Sequence, residues 1–457
     1  MLPSMVWGRH SRDEEMGVGL AAERMSRVDT AWLRMDTEAN LMLILGVWMM
    51  RPGIRLAQLR ERAAERLLRY PRFRQKVVED ELGAQWVEVP GLDLRRHVLA
   101  ERLKRRRGQS AEAALQARVA ELASTALDPD QPLWQLHLIE DFEGGSALIA
   151  RLHHCIADGV ALIGVMLSFA DGGVAPPAAA ASRESEADWL AQLLKPLSTA
   201  AHLGPRVISD VAALALMADD SPTRLKGRAG PLKRVAWGPG LPLDAVRAVS
   251  RAMGVSVNDV LLSCVAGALG AYLRARGDAT EGQEVRAMVP VNLRRPEQSH
   301  ELGNRFGLVP LVLPIGIANP VKRLYAVHAR MRSLKGSLQP VLAFGLLSIA
   351  GLLIKPVQQA MLGIFARKAT AVMTNVPGPA QALHFCGATV ERVMFWVPQS
   401  GDIGVGVSIL SYAGQVQFGL ITDAGLCPDP EAVVAQFEPE FQQLLMLALM
   451  LPWDEPP

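Results

Sequence analysis

Apolar residues run almost unbroken over 40–50, and a run of that length predicts a buried strand. Over 54–70 the spacing changes. Leu56, Leu59, Ala63 and Leu67 recur on one face of a helix that Pro71 stops. Ser110 is placed to cap a second helix carrying Leu115, Val119 and Leu122. Two more strands follow at 133–139 and 147–153, joined by a turn through Gly144 and Gly145. Asp158 and Gly159 then turn the chain into an apolar helix over 160–169.

Residues 172–185 break the pattern with glycine, proline and alanine. From 187 to 237, Gly204-Pro205 and Ser221-Pro222 interrupt helical pieces, and the segment reads as a crossover, part helix and part linker. Regular patterning resumes at 243. It predicts a helix, a long helix over 257–276 ended by Gly277, and strands at 285–291 and 308–314. Further helices, four short strands between 371 and 421 and a final helix complete the chain. Strands interleaved with helices in both halves imply α/β layers.

The 457 residues suffice for two or three domain-sized cores. Half are hydrophobic, above a soluble average yet short of a membrane composition. A formal net charge of +2 gives no electrostatic case for nucleic acid. Cys155, Cys264, Cys386 and Cys427 form no CxxC pair, which suggests reduced thiols in a cytoplasmic protein. Residues 1–20 carry Arg9, Arg12, Asp13, Glu14 and Glu15 where a secretory signal needs an apolar core. Residues 1–25 are therefore expected to be a mobile extension. The longest apolar run, 341–354, is too short to span a bilayer and ends at Lys355-Pro356. It is either a core helix or an interfacial helix that touches lipid, and 444–451 poses the same choice. Together they favour attachment to a membrane or lipid droplet without spanning.

One segment carries chemistry: His153-His154-Cys155-Ile156-Ala157-Asp158-Gly159. An imidazole moves protons near neutral pH, and a hydroxyl nucleophile needs such a base. Strand neighbours face opposite ways, so one of the two histidines meets a given cavity. His154, nearer the strand end, is the expected base. Asp158 either orients it, as in a triad, or shapes the turn and pairs with an arginine. A metal site on His153, His154 and Asp158 lacks an evident third ligand, because adjacent strand residues diverge. Cys155 is read as a packing residue, and no GxSxG elbow is present. Ser256-x-x-Asp259 is a capping-box pattern. Asp259 is taken as the cap, while Asn258 either joins that first turn or aims its amide at a cleft.

The HHxxxDG segment resembles the active-site motif of the CoA-dependent acyltransferase superfamily. Further segments narrow the resemblance to the bacterial wax ester synthase/diacylglycerol acyltransferase family. They are Pro132-Leu133-Trp134, Ser256-Val257-Asn258-Asp259-Val260, Val289-Pro290-Val291-Asn292-Leu293-Arg294, Gly303-Asn304-Arg305-Phe306-Gly307 and Thr374-Asn375-Val376-Pro377-Gly378-Pro379. Each is weak alone, and the ordered set, from about Ser26 to the C-terminal end, is strong.

The resemblance implies an α/β fold of two chloramphenicol-acetyltransferase-like domains, with the active site in the cleft between them and a partly helical crossover joining them. The expected division is 26–171 for the N-terminal domain, 172–240 for the crossover and 241–457 for the C-terminal domain. It implies an acyl-CoA-dependent O-acyltransferase that uses long-chain acyl-CoA and a fatty alcohol or diacylglycerol. No cofactor beyond acyl-CoA as substrate and no covalent acyl-enzyme are expected. His154, His153, Asp158, Gly159 and Asn258 are the implied catalytic group, supported by Asp259. Asn304, Arg305, Pro132, Trp134 and Asn375 are candidate substrate contacts, although Trp134 suits a core and Asn304-Arg305 suit a tight loop. Basic clusters at Arg95-Arg96, at 104–107 and within 55–69 are solvated helix faces, or contacts for an anionic membrane or the phosphates of CoA. The expected location is cytoplasmic, peripheral on the inner membrane or lipid inclusions. The alternatives are an acyltransferase for another alcohol or an amine, and a non-catalytic lipid-inclusion protein.

Overall fold

The computed structural model describes residues 22–80, 83–173, 217–294, 302–335, 339–353, 357–358, 363 and 366–451. Residues 1–21 of the proposed extension and most of the proposed crossover lie outside them. Ala22–Arg24 are no mobile extension, because they form a strand paired with residues 85–87, and Met25 is buried in the core.

Two large sheets organise the chain. The first is built from β2 (Leu43–Arg51), β5 (Val98–Glu101), β6 (Trp134–Phe142) and β7 (Gly145–His153). Two strands from far along the chain complete it, β13 (His384–Phe385) and β14 (Ala388–Trp396), in the order β13-β14-β2-β7-β6-β5. The second sheet has the order β11-β10-β12-β15-β16-β8. Its strands are β8 (Lys233–Trp237), β10 (Val285–Asn292), β11 (Phe306–Leu313), β12 (Ala371–Pro377), β15 (Val405–Tyr412) and β16 (Gln415–Asp423), with β9 (Leu241–Pro242) beside β16. A small antiparallel sheet, β1 (Ala22–Arg24), β4 (Gly83–Glu88) and β3 (Gln75–Asp80), flanks the first.

The division at 240/241 is therefore not a division in space. Strand β8 falls within the expected crossover, yet it pairs with β16 over Lys233–Trp237. Strand β14 falls in the expected C-terminal domain, yet it pairs with β2. Long-range pairing of this kind leaves no local periodicity.

The helices follow their caps. α1 (Arg27–Arg34) starts where the Ser26 hydroxyl accepts from Asp29 N at 3.0 Å. α2 (Leu56–Glu65) is shorter than the pattern over 54–70 predicts, and two 3₁₀ turns replace its end. Pro71 disfavours the α conformation at Tyr70, and the Tyr70 hydroxyl is held by Ser168 at 2.8 Å. α3 (Ala111–Ala123) is capped by Ser110 and buries Leu115, Val119 and Leu122, as predicted. α4 (Gly159–Phe169) is capped by Asp158. α5 (Leu243–Ala252), α6 (Val257–Ala275), α7 (Pro320–Lys335), α8 (Gln339–Ala350) and α9 (Pro430–Leu449) complete the set among the described residues. Between 371 and 421 there are five strands rather than four, the extra one being the two-residue β13. Among the described residues no single helix is long and apolar enough to cross a membrane.

The second half builds its core around α6, whose residues are buried from Asp259 to Gly270. Within it Arg323 and Glu440 form a buried ion pair. A Cβ on Gly267 would collide with both side chains, so that glycine makes room for the pair. Breaking the pair strands a charge in the core. Arg323→Met is expected to lower the unfolding free energy by about 3–5 kcal/mol in urea denaturation. A midpoint equal to that of the parent would contradict this assignment.

Candidate active site

The histidines stand where β7 stops. His153 is its last residue and pairs with Leu43, and His154 begins the following turn. Main-chain bonds fix both, His153 N to Leu133 O at 2.9 Å and His154 N to Met42 O at 2.7 Å. Both rings are buried, and they meet different surroundings. His153 Nδ1 accepts from Cys155 N at 3.2 Å, and its Nε2 lies 3.8 Å from Asp36. His154 lines a cavity of about 580 Å³. His153 does not line it.

The cavity lies between the two large sheets. Met288, Pro290 and Asn292 of β10 and Thr374 to Pro377 on β12 form one wall. Phe395 of β14 belongs to the other, and Ala343, Leu346 and Leu347 of α8 close a side. Among the described residues, the few polar side chains facing it are His154, Asp158, Asn292, Thr374, Asn375 and Ser400.

Aromatic stacking holds the His154 ring. Trp32 lies flat against it, with centroids 4.2 Å apart and planes at 14°. Phe306 touches both rings, at 5.6 Å from Trp32 and 5.7 Å from His154. Burial pulls the imidazole from its ordinary value near 6.5 down to about 3. His153 pushes the same way, while the ring's own carbonyl and the Asn304 side chain oppose the shift. The ring is therefore neutral near pH 7. Its contribution to stability is complete above pH 6.5 and is lost as the pH falls toward 3.

Asp158 does other work. Its carboxylate accepts from Ala161 N at 3.0 Å, capping α4, and from Arg305 N at 3.0 Å. It also meets Arg294 through two oxygens, at 3.0 and 3.1 Å, in a bidentate buried pair. Asp158 thus locks the HHxxxDG turn onto Arg294, and the triad reading finds no support in its contacts. A short parallel bridge between Ala157 and Gly303 continues the lock. Gly303 sits at φ +102°, a left-handed conformation that suits glycine.

Asn304 is a clamp. Its amide donates to the His154 carbonyl at 2.8 Å and to Asp29 at 2.8 Å. It is buried, and neither Asn304 nor Arg305 is among the described residues lining the cavity. Asn375 does line it, and donates to Asn258 Oδ1 at 2.6 Å. Asp259 completes its capping box with Ser256 and binds His328 Nδ1 at 2.8 Å, a partner with no sequence signal. Pro132 and Trp134 lie off this cavity. Trp134 is buried, and its indole donates to Phe73 O at 2.9 Å. Gly159 opens α4 facing the cavity, and a Cβ there would meet nothing within 4 Å. Cys155 is fully buried, and burial first, then Asp29 and Asp36, push its thiol well up, so it offers no thiolate. Trp32, Phe306 and Asn292 were not singled out from sequence, whereas Thr374 opens the motif at 374–379. Asn292 and Phe306 stand inside motifs already noted, whereas Trp32 looks like any aromatic on an amphipathic helix.

Two family models match the chain. Residues 25–261 match the wax ester synthase/diacylglycerol acyltransferase catalytic domain, and residues 302–445 match the WS/DGAT C-terminal domain. The chain belongs to the wax ester synthase/diacylglycerol acyltransferase family. A Mycobacterium tuberculosis protein named "Probable diacyglycerol O-acyltransferase tgs1" is 28% identical over 408 residues, 84% of this chain and 87% of that one. The wax ester synthase/diacylglycerol acyltransferase from Marinobacter aquaeolei VT8 has the same fold, with a TM-score of 0.67 and 21% identity over 94% of this chain and all of that one. The first condensation domain of the calcium-dependent antibiotic synthetase also shares the fold, with a TM-score of 0.60 and 15% identity over 94% of this chain and 97% of that one.

The Asp158–Arg294 lock gives a direct test. Asp158→Ala and Arg294→Ala are each expected to lower the unfolding free energy by about 3–5 kcal/mol. The double variant should lose less than the sum, because the partners are coupled. Strictly additive losses in urea denaturation would refute the lock.

Proposed function

We propose that this protein transfers a long-chain acyl group from acyl-CoA to the hydroxyl of a fatty alcohol or diacylglycerol, with His154 as the general base. The observation that carries the proposal is the neutral, stacked imidazole of His154 opening into a large apolar cavity between two sheets. The ring takes the proton as the alcohol oxygen attacks the thioester carbonyl. A C–O bond forms and the carbonyl becomes a tetrahedral oxyanion. The C–S bond then breaks, and the imidazolium returns its proton to the departing thiolate. No acyl-enzyme forms and no cofactor takes part. Imidazolium is costly in this dry site, and the oxyanion that develops with it offsets part of that cost. Asn292, Thr374 and Asn375 are the polar groups available to meet the oxyanion or the acceptor. His153, Asp158, Gly159, Asn258, Asp259, Asn304 and Arg305 position these groups, and the apolar walls align two hydrocarbon chains.

The same reading places the protein on the cytoplasmic side, attached to a membrane or lipid inclusion. α8 supports this. Ala343, Leu346 and Leu347 line the cavity, while Ile349 and the nearby Leu352 are 53% and 60% exposed. The end of α9 and the residues after it add Met446, Leu449 and Met450, the last 81% exposed.

The test pairs His154→Ala with labelled hexadecanoyl-CoA and hexadecanol or diacylglycerol. Ester formation should fall by about 10²–10⁴-fold while the thermal melt stays cooperative. Undiminished turnover by a folded variant would end the proposal.

A further inference from the structure

A second, smaller cavity of about 120 Å³ lies beneath α4 in the first sheet's half of the molecule. Strand register explains it. Phe395, Gly46, Ala150 and Leu136 stand side by side across β14, β2, β7 and β6. The two central members are the small ones. The flanking rows are bulky, with Val393, Trp48 and Leu148 on one side and Ile44, Leu152 and Trp134 on the other. Small side chains in register between large ones leave a furrow across the strands, roughly 14 Å long over three strand spacings. Leu162, Ile163, Met166 and Phe169 of α4 roof it. Phe73 and Trp134 stand among the residues that line it.

The furrow adjoins the reaction cavity. Gly159, Ile163 and Phe395 line both. Gly159 carries no side chain at this junction, and a Cβ there would project into open space. Protein interiors fill such gaps, and an unfilled apolar cavity is destabilising. Apolar cavities of about this size stay dry and accept small hydrocarbons.

We propose that this furrow binds the distal end of a linear hydrocarbon tail that enters from the reaction cavity past Gly159 and Phe395. Gly46, Ala150 and Leu136 set the length that fits. The inference rests on the acyl-transfer reading of His154 and adds where one substrate's tail ends. The acyl donor and the alcohol acceptor share this chemistry, so the experiment separates them.

Gly46→Leu fills the furrow, and a Cβ at Gly46 makes only ordinary contact with Ala150. Leu136→Ala lengthens it. One arm varies acyl-CoA from octanoyl to eicosanoyl against fixed hexadecanol. The other varies the alcohol over the same lengths against fixed octanoyl-CoA. Gly46→Leu should lower the long-to-short ratio of kcat/KM by about tenfold in one arm, and Leu136→Ala should raise it. A shift in the first arm assigns the furrow to the acyl tail, and a shift in the second assigns it to the acceptor. Unchanged ratios in both arms, with folded variants, would overturn the proposal. Binding of labelled hexadecanoate keeps the two readings apart. If the parent makes no ester yet binds hexadecanoate, and Gly46→Leu does not bind it, the furrow stands and the acyl-transfer reading falls. If hexadecanoate binds both equally and neither arm's ratio shifts, the furrow falls.

Discussion

A base that works on greasy substrates must sit in a dry place, stay unprotonated there and still be reachable. Stacking of His154 on Trp32, with Phe306 tilted against both rings, meets these demands together. The indole excludes water from one face of the imidazole and fixes its plane. Removal from water disfavours the charged ring, so a neutral base persists where an exposed histidine would titrate. The cost of desolvating a neutral imidazole is modest beside that of a buried ion, which makes the arrangement compatible with a stable fold.

The rest of the site serves to hold that ring still. Asn304 ties the His154 carbonyl to Asp29 on the same short helix that carries Trp32. Asp158 and Arg294 tie the turn after the histidines to the end of β10. Lys233 next to β16 binds Asn40 ahead of β2 at 2.7 Å, and Asn40 reaches Gly401 O at 2.5 Å. Elements from both sheets thus hold one cleft. The exchange of β14 into the first sheet ties the halves together and brings Phe395 to the junction of the two cavities. In the proposed reaction the alcohol and the thioester meet at His154, and the sheets, not the loops alone, set the width of the space between them.

Local signals in the chain were reliable where local physics decides. Ser110, Ser256 and Asp158 cap helices because a short polar side chain meets a free N–H at a known offset. His154 was separable from His153 because a strand alternates its faces. The furrow under α4 was not legible, since Gly46 and Ala150 become neighbours only through antiparallel register. Strand β8 was missed because an edge strand of five residues has too little pattern to stand out from a linker. His328 stands in no motif, yet it supports Asp259 from a separate helix. Asp158 and Arg294 lie 136 positions apart in sequence. Their pairing was foreseen in kind, as an arginine beside the turn, but not in identity.

The protonation state of one ring decides between a dry, stacked base and an ordinary histidine. It can be read by nitrogen NMR of the ¹⁵N-histidine-labelled protein, with His154→Gln used to assign the resonance. The ring of His154 should stay neutral from pH 8 down to pH 5, in a single tautomer. A titration with its midpoint near pH 6.5 would mean that water reaches the imidazole freely, and would contradict the stacked, desolvated base on which the proposed chemistry depends.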